Sequence, residues 1–111
     1  MKLVNLTPHA LHIENGKKVI EIPASGIVAR IEDEVLSVFE MDGFVFCDLR
    51  RKEISGLPSP QEGTIYIVSR PLAMMLKGRS DVVFCDEFER DEEGKIRYAR
   101  ALSRYKGESN V

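Results

Sequence analysis

Two residues near the start of the chain, Thr7 and His9, are of types that can bind an anion or move a proton. Only Pro8 separates them, so a hydroxyl and an imidazole stand two residues apart at the end of the first apolar run. The proline also favours a turn, in which Thr7 caps the turn and His9 donates one structural hydrogen bond. The sequence leaves both interpretations open.

A second group of candidate residues follows the most apolar run of the chain. Ser69 and Arg70 precede Pro71, a residue suited to the first turn of a helix. Ser69 can cap that helix, whereas Arg70 or Arg79 can face a carboxylate or a phosphate. No G-x-S-x-G elbow surrounds Ser69, which argues against a hydrolase nucleophile. The predicted ligand-binding residues are therefore Thr7, His9, Ser69, Arg70 and Arg79.

The two cysteines, Cys47 and Cys85, lie in identical Val-Phe-Cys-Asp segments. If these segments were neighbouring strands, the thiols would share a face, and a disulfide would need Cα atoms within roughly 7 Å of each other. Together with His9 and His12 they supply the residue types of a zinc site, but the spacings match no known zinc pattern. Two buried cysteines that act as small apolar residues are the better interpretation. We expect no metal and no cofactor.

Length and charge limit the classes of protein to consider. A chain of 111 residues suffices for one domain, expected over residues 1–106 with a frayed tail at 107–111. The 16 Lys and Arg against 18 Asp and Glu give a net charge of −2, without the basic excess of most nucleic-acid binders. No run reaches the roughly 18 apolar residues of a membrane span, and the opening does not resemble a signal peptide. We expect a cytoplasmic protein without a membrane or nucleic-acid partner.

The apolar residues alternate mainly with a period of two, which predicts strands. Asn15-Gly16 between two such runs predicts a hairpin with a type I′ turn, and Asp42-Gly43 predicts a second hairpin. The segment Thr64–Ser69 is apolar on both faces and predicts a central buried strand, followed by a helix over Pro71–Lys77. The predicted fold class is mainly β (α+β at most): a single compact antiparallel β barrel or sandwich with one short helix.

Other segments are less regular. Glu34–Met41 fits a strand or a helical turn, and Arg50–Gly63 is expected to be a constrained loop. For Lys95–Tyr105 a strand is favoured over a helix. The acidic run Asp86–Glu93 and the basic residues of 97–106 would then face each other across a hairpin.

Three motifs that together span almost the whole chain stand in a particular order: Val4–His9 (VNLTPH), Leu57–Ser69 (LPSPQEGTIYIVS) and Arg90–Ile96 (RDEEGKI). In this order they resemble a family of small uncharacterised proteins from bacteria, archaea and their phages. Members of that family open on NLTPH, carry an LPxPxxGTIYIVS strand and have an RDExG turn near the C-terminus. The family pattern usually places a Pro after the strand where this chain has Cys85-Asp86. The resemblance implies a single small intracellular domain and carries no activity.

These features lead us to expect a non-enzymatic binding or assembly module that forms homo-oligomers, because exposed strand edges can pair between subunits. One alternative is a binder of a small anionic or nucleotide ligand through Arg70, Arg79 and the region of His9. Another is a small hydrolase or metal-dependent enzyme that uses Thr7, His9 and Ser69, or the two cysteines. A nucleotide-binding βαβ core is not expected, because the sequence does not alternate strands with helices of roughly 10–15 residues.

Overall fold

The computed structural model describes residues 1–107 of the chain. This part contains eight β-strands and one short α-helix. The elements are β1 (Lys2–Asn5), β2 (Leu11–Asn15), β3 (Lys18–Ile22), β4 (Arg30–Met41), β5 (Phe44–Ser55), β6 (Thr64–Ile67), α1 (Arg70–Met75), β7 (Val82–Arg90) and β8 (Ile96–Ser103). The predicted mainly β fold with one short helix is confirmed. Of the tail predicted at 107–111, residues 108–111 lie outside the described part of the chain.

Six of the strands form one curled, barrel-like sheet in the order β1-β6-β7-β8-β2-β3, while β4 and β5 form a separate ribbon. The pairs β2-β3 and β7-β8 are antiparallel, but β1-β6, β6-β7 and β2-β8 are parallel. The predicted antiparallel arrangement therefore holds for the hairpins and not for the whole sheet. Parallel neighbours need a crossover connection, and no short-range sequence signal shows which distant strands will pair.

Both predicted hairpins form, but with different turns. In the first, Asn15 pairs with Lys18 as part of the ladder, and Gly16 has a positive φ of 64°. Asn15 itself does not adopt a positive φ, so the expected type I′ turn is replaced by one with a positive φ at its first central position only. The type I′ pattern occurs instead in the second hairpin, where Asp42 and Gly43 have φ values of 53° and 83°.

Two apolar clusters lie on the two faces of the curled sheet. The inner cluster draws side chains from all six strands and includes the fully buried Ile67. The outer cluster lies between the sheet and α1, whose Leu72 and Ala73 are buried there. Helix α1 belongs to the crossover from β6 to β7, which accounts for the parallel pairing of these two strands.

The segment that leads from β3 towards β4 runs beside the end of β1 and closes the sheet on that side. The amide of Ser25 donates to the carbonyl of Asn5 at 3.0 Å, and the amide of Ala29 donates to the carbonyl of Leu6 at 2.9 Å. These bonds use the carbonyls of the last residue of β1 and of the residue after it, which would otherwise face water as an open edge.

The β4–β5 ribbon leaves the body of the protein as a long arm. Only its base is packed, where Ile31 and Ile54 join the outer cluster. Because of this arm the radius of gyration is 17.2 Å, above the roughly 13 Å typical of a compact chain of this length. Of the two alternatives for Glu34–Met41, the strand is the one that forms. The loop expected from Arg50 is wrong in its start: it begins only after Ser55, since the ladder with β4 continues to that residue.

The strand favoured for Lys95–Tyr105 is confirmed as β8, and it pairs with β7. Arg100 on β8 lies 3.7 Å from Glu89 on β7 and 3.6 Å from Glu14 on β2. Opposite charges thus meet across the hairpin as expected. In residues 1–107 no helix is long and apolar enough to cross a membrane.

Candidate functional site

Three of the five predicted ligand-binding residues, Thr7, Ser69 and Arg70, line one cavity of about 270 Å³. It lies at the mouth of the curled sheet, where β6 ends and β2 begins. Most of its lining is apolar. The remaining lining residues are Leu11, Ile67, Val68, Phe84, Cys85 and Phe88.

A second cavity of about 220 Å³ adjoins the first and shares Leu11, Cys85 and Phe88 with it. It exists because β2 and β8 pair only at Ile13 and Ala99, so that the strands separate towards the mouth. Its other lining residues are Ala10, His12, Ile96, Arg97, Tyr98 and Ala99. We call the two cavities together the mouth groove.

Arg70 is held in place by aromatic side chains. Its Nε donates to the Tyr105 hydroxyl at 3.0 Å, and its guanidinium carbon lies 5.4 Å from the centre of the Phe84 ring. The rings of Phe84 and Tyr105 stack at 5.3 Å, which fixes this support. The hydrogen bond to Tyr105 is the main reason that the pKa of Arg70 is raised, with a smaller contribution from Asp86. Arg70 therefore presents an oriented cation to a largely apolar cavity.

The charged side chains that line the mouth groove, Arg70 and Arg97, are both cations. No Asp or Glu of the described residues lines it. Asp86, whose charge contributes to the raised pKa of Arg70, lies outside the lining and accepts a hydrogen bond from Ser103 at 2.7 Å. The groove is thus suited to an apolar group that carries a carboxylate or a phosphate.

The Thr7-Pro8-His9 turn is built around a buried residue that sequence reasoning did not single out, Asn5. Asn5 is only 1% exposed, and its Nδ2 donates to the carbonyls of His9 at 2.8 Å and Ile22 at 3.2 Å. Its Oδ1 accepts from the Thr7 amide at 2.9 Å and lies 2.7 Å from the Thr7 hydroxyl. The Thr7 hydroxyl is therefore engaged in the turn and is not a free nucleophile.

His9 takes part in this turn through its backbone rather than its imidazole. Its carbonyl accepts the hydrogen bond from Asn5, whereas its side chain is exposed and lines neither cavity of the mouth groove. The hydrogen bond expected from the His9 side chain is replaced by one to its carbonyl. Ligand binding by His9 stays a prediction from the sequence. Of the other four predicted ligand-binding residues, only Thr7 lies in the same turn as His9.

Ser69 occupies the N-cap position of α1, with φ −67° and ψ 153°, but its side chain makes no capping hydrogen bond. Its carbonyl accepts the Ala73 amide at 3.0 Å, as a cap residue does. Ser69, expected to cap the helix through its hydroxyl, instead lines the same cavity as Arg70.

Arg79 lies away from the mouth groove and has partners of its own. Its guanidinium binds Asp81 through two hydrogen bonds, Nε to Oδ1 at 2.9 Å and Nη2 to Oδ2 at 2.7 Å. Nη2 also lies 3.3 Å from the Pro58 carbonyl, so the pair joins the proline-rich loop to the turn before β7. Arg79 lines a separate cavity of about 610 Å³ and does not converge with Arg70.

Because of the Arg79–Asp81 ion pair, we expect part of the protein's stability to be lost at acid pH. The hydrogen bonds from Arg79 lower the pKa of Asp81 below its ordinary value of 3.8. Because the carboxyl group has a lower pKa in the folded chain than in the unfolded chain, the ion pair stabilises the folded protein above pH 3.8. This stabilisation is lost as the pH falls through the pKa of the folded state. We expect Asp81→Asn to lower the free energy of unfolding by about 1 kcal/mol at neutral pH and to reduce the loss below pH 3.8.

Urea unfolding of the wild type and of Asp81→Asn, at neutral pH and below pH 3.8, measures this effect. Glu93→Gln is the matched control, because the Glu93–Lys95 pair is 3.6 Å long and about three-quarters exposed (76% and 77%). An equal effect of both substitutions at neutral pH would show that the Arg79 pair adds nothing beyond a surface charge.

The two Val-Phe-Cys-Asp segments are not neighbouring strands. Cys47 is exposed on the arm, and Cys85 is half-buried in the mouth groove, where burial raises the pKa of its thiol. Both thiols are free. The expectation of two buried cysteines thus holds only in part for Cys85 and is wrong for Cys47. In residues 1–107 no three His, Cys, Asp or Glu side chains cluster as metal ligands would.

Sequence reasoning also missed the most unusual surface of the molecule, the outer part of the arm. Residues 35–49 are apolar on both parities of the strand, a pattern that marks a strand buried on both faces. In the structure these side chains are exposed instead, with Phe44 and Val45 each 68% accessible. The apolar pattern of residues 35–49 is visible in the sequence, but the pattern alone does not show which surface would cover the strands.

No family model matches this chain, and comparison with curated proteins and with solved structures found no similar protein.

Proposed function

We propose that this chain is a non-enzymatic assembly module that forms homo-oligomers through its β4–β5 arm. The observation that carries the proposal is the exposure of apolar side chains on both faces of the outer arm, residues 35–49, which we call the arm tip. Large exposed apolar patches in soluble proteins mark interaction surfaces.

The arm is long enough to reach well beyond the body. Each of its strands has 12 residues, which corresponds to about 40 Å at roughly 3.3 Å per residue. Its base is anchored by apolar contacts, and a Glu34–Arg50 ion pair follows above the base. An isolated two-stranded ribbon is at best marginally stable in water. A partner that covers the ribbon would supply the missing stabilisation.

One face of the arm tip is aromatic. Residues that pair directly in an antiparallel ladder share a face, so Phe39 lies beside Phe46 and Met41 beside Phe44. The Phe39 and Phe46 rings stack at 5.3 Å, yet they remain 45% and 40% exposed. Aromatic residues and methionine are enriched in protein interfaces.

The opposite face is aliphatic. Val38 lies opposite Cys47, and Val35 lies opposite Leu49, all of them exposed. A ribbon that merely lay on the body of its own chain would need only one apolar face. Apolar side chains on both faces favour a ribbon enclosed by other protein surface, which a symmetric assembly of identical chains provides.

Light scattering coupled to size exclusion tests the proposal. We expect the wild type to have a mass that is a multiple of 12.6 kDa, and the double variant Phe44→Glu, Val45→Glu to have the monomer mass. Both side chains are highly exposed at the end of the arm, so the change removes apolar contacts without cutting into the core.

Ile27→Glu is the matched control, because Ile27 is 52% exposed but lies on the body, outside the arm. We expect it to keep the mass of the wild type. A wild type that is monomeric at every concentration tested would overturn the proposal, and so would an arm variant that keeps the oligomer mass.

A further inference from the structure

We propose that the mouth groove of one chain receives the arm tip of a second copy. This inference rests on the proposed function and adds the place where the arm binds. The two surfaces are both apolar, their charges are opposite, and the groove has open strand edges.

Both surfaces are apolar and both are exposed. The groove is lined by Leu11, Phe84 and Phe88 together with Ile96, of which Phe88 is 43% and Ile96 52% exposed. Such a groove takes up aromatic and aliphatic side chains, and the arm tip presents both kinds. The tip and the groove are therefore matched in chemistry.

Their charges are opposite. The arm tip contains Glu40, Asp42 and Asp48 but no Lys or Arg. The groove is lined by the cations Arg70 and Arg97, with no acidic side chain among its described lining residues. An acidic apolar tip beside a basic apolar groove is the complementarity expected of two surfaces that bind each other.

The backbone at the groove is also suited to an added strand. The ladder between β2 and β8 is limited to Ile13 and Ala99, although β2 begins at Leu11 and β8 at Ile96. Backbone groups at the start of both strands thus have no partner in the other strand. A β-ribbon that enters the opening can pair with such groups, as in strand addition between chains.

The occupant is a second copy rather than the arm of the same chain. Within one chain the arm tip is exposed and the groove is open, so the arm does not reach its own groove in this structure. A tip that extends about 40 Å from its base can reach a neighbouring molecule. Arm exchange between two chains would bury both surfaces at once.

A groove variant separates this inference from the proposed function. Phe88→Glu places a carboxylate in the groove, where it repels the acidic arm tip, and we expect it to weaken self-association by tenfold or more. The arm variant Phe44→Glu, Val45→Glu should have the same effect, and Ile27→Glu none. Circular dichroism and the melting temperature of each variant show whether it is folded.

The two native cysteines allow a direct test of the contact. Cys47 lies on the arm and Cys85 in the groove, so a short bismaleimide should link Cys47 of one copy to Cys85 of another. Cys47→Ser and Cys85→Ser should each abolish the linked dimer. A dimer that is still linked in Cys85→Ser would show arms joined through Cys47 and would overturn the inference.

The outcomes distinguish the two proposals. If the arm variant is monomeric and a folded Phe88→Glu keeps the mass and affinity of the wild type, the arm binds elsewhere and only this inference fails. If the wild type itself is monomeric, both fail. A rise in melting temperature with inorganic phosphate that is lost in Arg70→Ala, without any change in mass in Phe88→Glu, would assign the groove to a small anion instead.

Discussion

Replacing Gly56 with Ala should lower the free energy of unfolding by roughly 4 kcal/mol. The loss has two causes: an alanine is strained in the left-handed backbone conformation of this residue, and its Cβ would overlap main-chain atoms that cannot move aside. Gly56 follows the last residue of β5 and has a φ of 75°. A Cβ at this position would lie 2.2 Å from the Val28 carbonyl oxygen and 2.9 Å from its carbon. These are backbone atoms, so no side-chain rotation relieves the overlap.

Gly63→Ala is the matched control for this prediction. Gly63 has the same φ of 75°, but a Cβ there would meet no atom within 4 Å. We expect it to lose about 1 kcal/mol from the backbone conformation alone. Urea unfolding of both variants measures the difference, and equal losses would show that the close approach of Gly56 to Val28 does not exist in solution.

The Gly56 contact also bears on the proposed assembly. It lies at the base of the arm, where the chain passes Val28 shortly before β4 begins. Ile31 and Ile54 join the outer cluster at the same place. An arm that presents its tip to another molecule needs a fixed base, because a freely swinging arm loses more conformational entropy on binding. A folded Gly56→Ala variant should therefore associate more weakly than the wild type.

Features that depend on a few neighbouring residues could be predicted from the sequence. Asn15-Gly16 and Asp42-Gly43 mark the two hairpins, and Pro71 marks the first turn of the helix. The buried strand at Thr64–Ile67 follows from an unbroken apolar run. In each case the physical cause, a positive φ, a fixed φ or burial on both faces, acts within the segment itself.

The sheet order could not be predicted, because it depends on contacts between residues that are distant in sequence. Lys2 pairs with Thr64, and Ile13 with Ala99, across most of the chain. The Asp42-Gly43 hairpin was predicted, but its length was missed for a related reason. The charged segments on either side of the tip resemble loop in sequence, although Glu34 and Arg50 pair across the ladder. Composition alone does not distinguish a charged ribbon from a charged loop.

The candidate site was predicted in part. Thr7, Ser69 and Arg70 share a cavity because the start of β2 and the end of β6 meet at the mouth of the sheet, which no spacing in the sequence reveals. Arg79 was placed with them because it follows the same helix, yet Asp81, two residues later, binds it. A carboxylate so near in sequence was a signal that could have separated Arg79 from the site.

Asn5→Ala should be the second severe substitution, lowering the free energy of unfolding by about 3 kcal/mol, since several buried polar groups lose their partners. The Asn5 amide satisfies the carbonyls of His9 and Ile22 and accepts from Thr7, so it joins β1, the following turn and the end of β3. Asn5→Asp keeps the acceptor for Thr7 but removes the donors to the two carbonyls. It should therefore also be strongly destabilising, although it is nearly the same size as Asn.

His9→Ala decides whether this turn is held by Asn5 or by the histidine. His9 contributes its carbonyl to Asn5, and its side chain is exposed, so His9→Ala should change the unfolding free energy by no more than about 0.5 kcal/mol. Denaturant midpoints of the three variants give the comparison. If His9→Ala were as damaging as Asn5→Ala, the imidazole would have a structural partner, and the turn would not depend on Asn5. If instead only the Asn5 variants unfold early, the Asn-Leu-Thr-Pro-His run is explained by the closure of the sheet and needs no catalytic role.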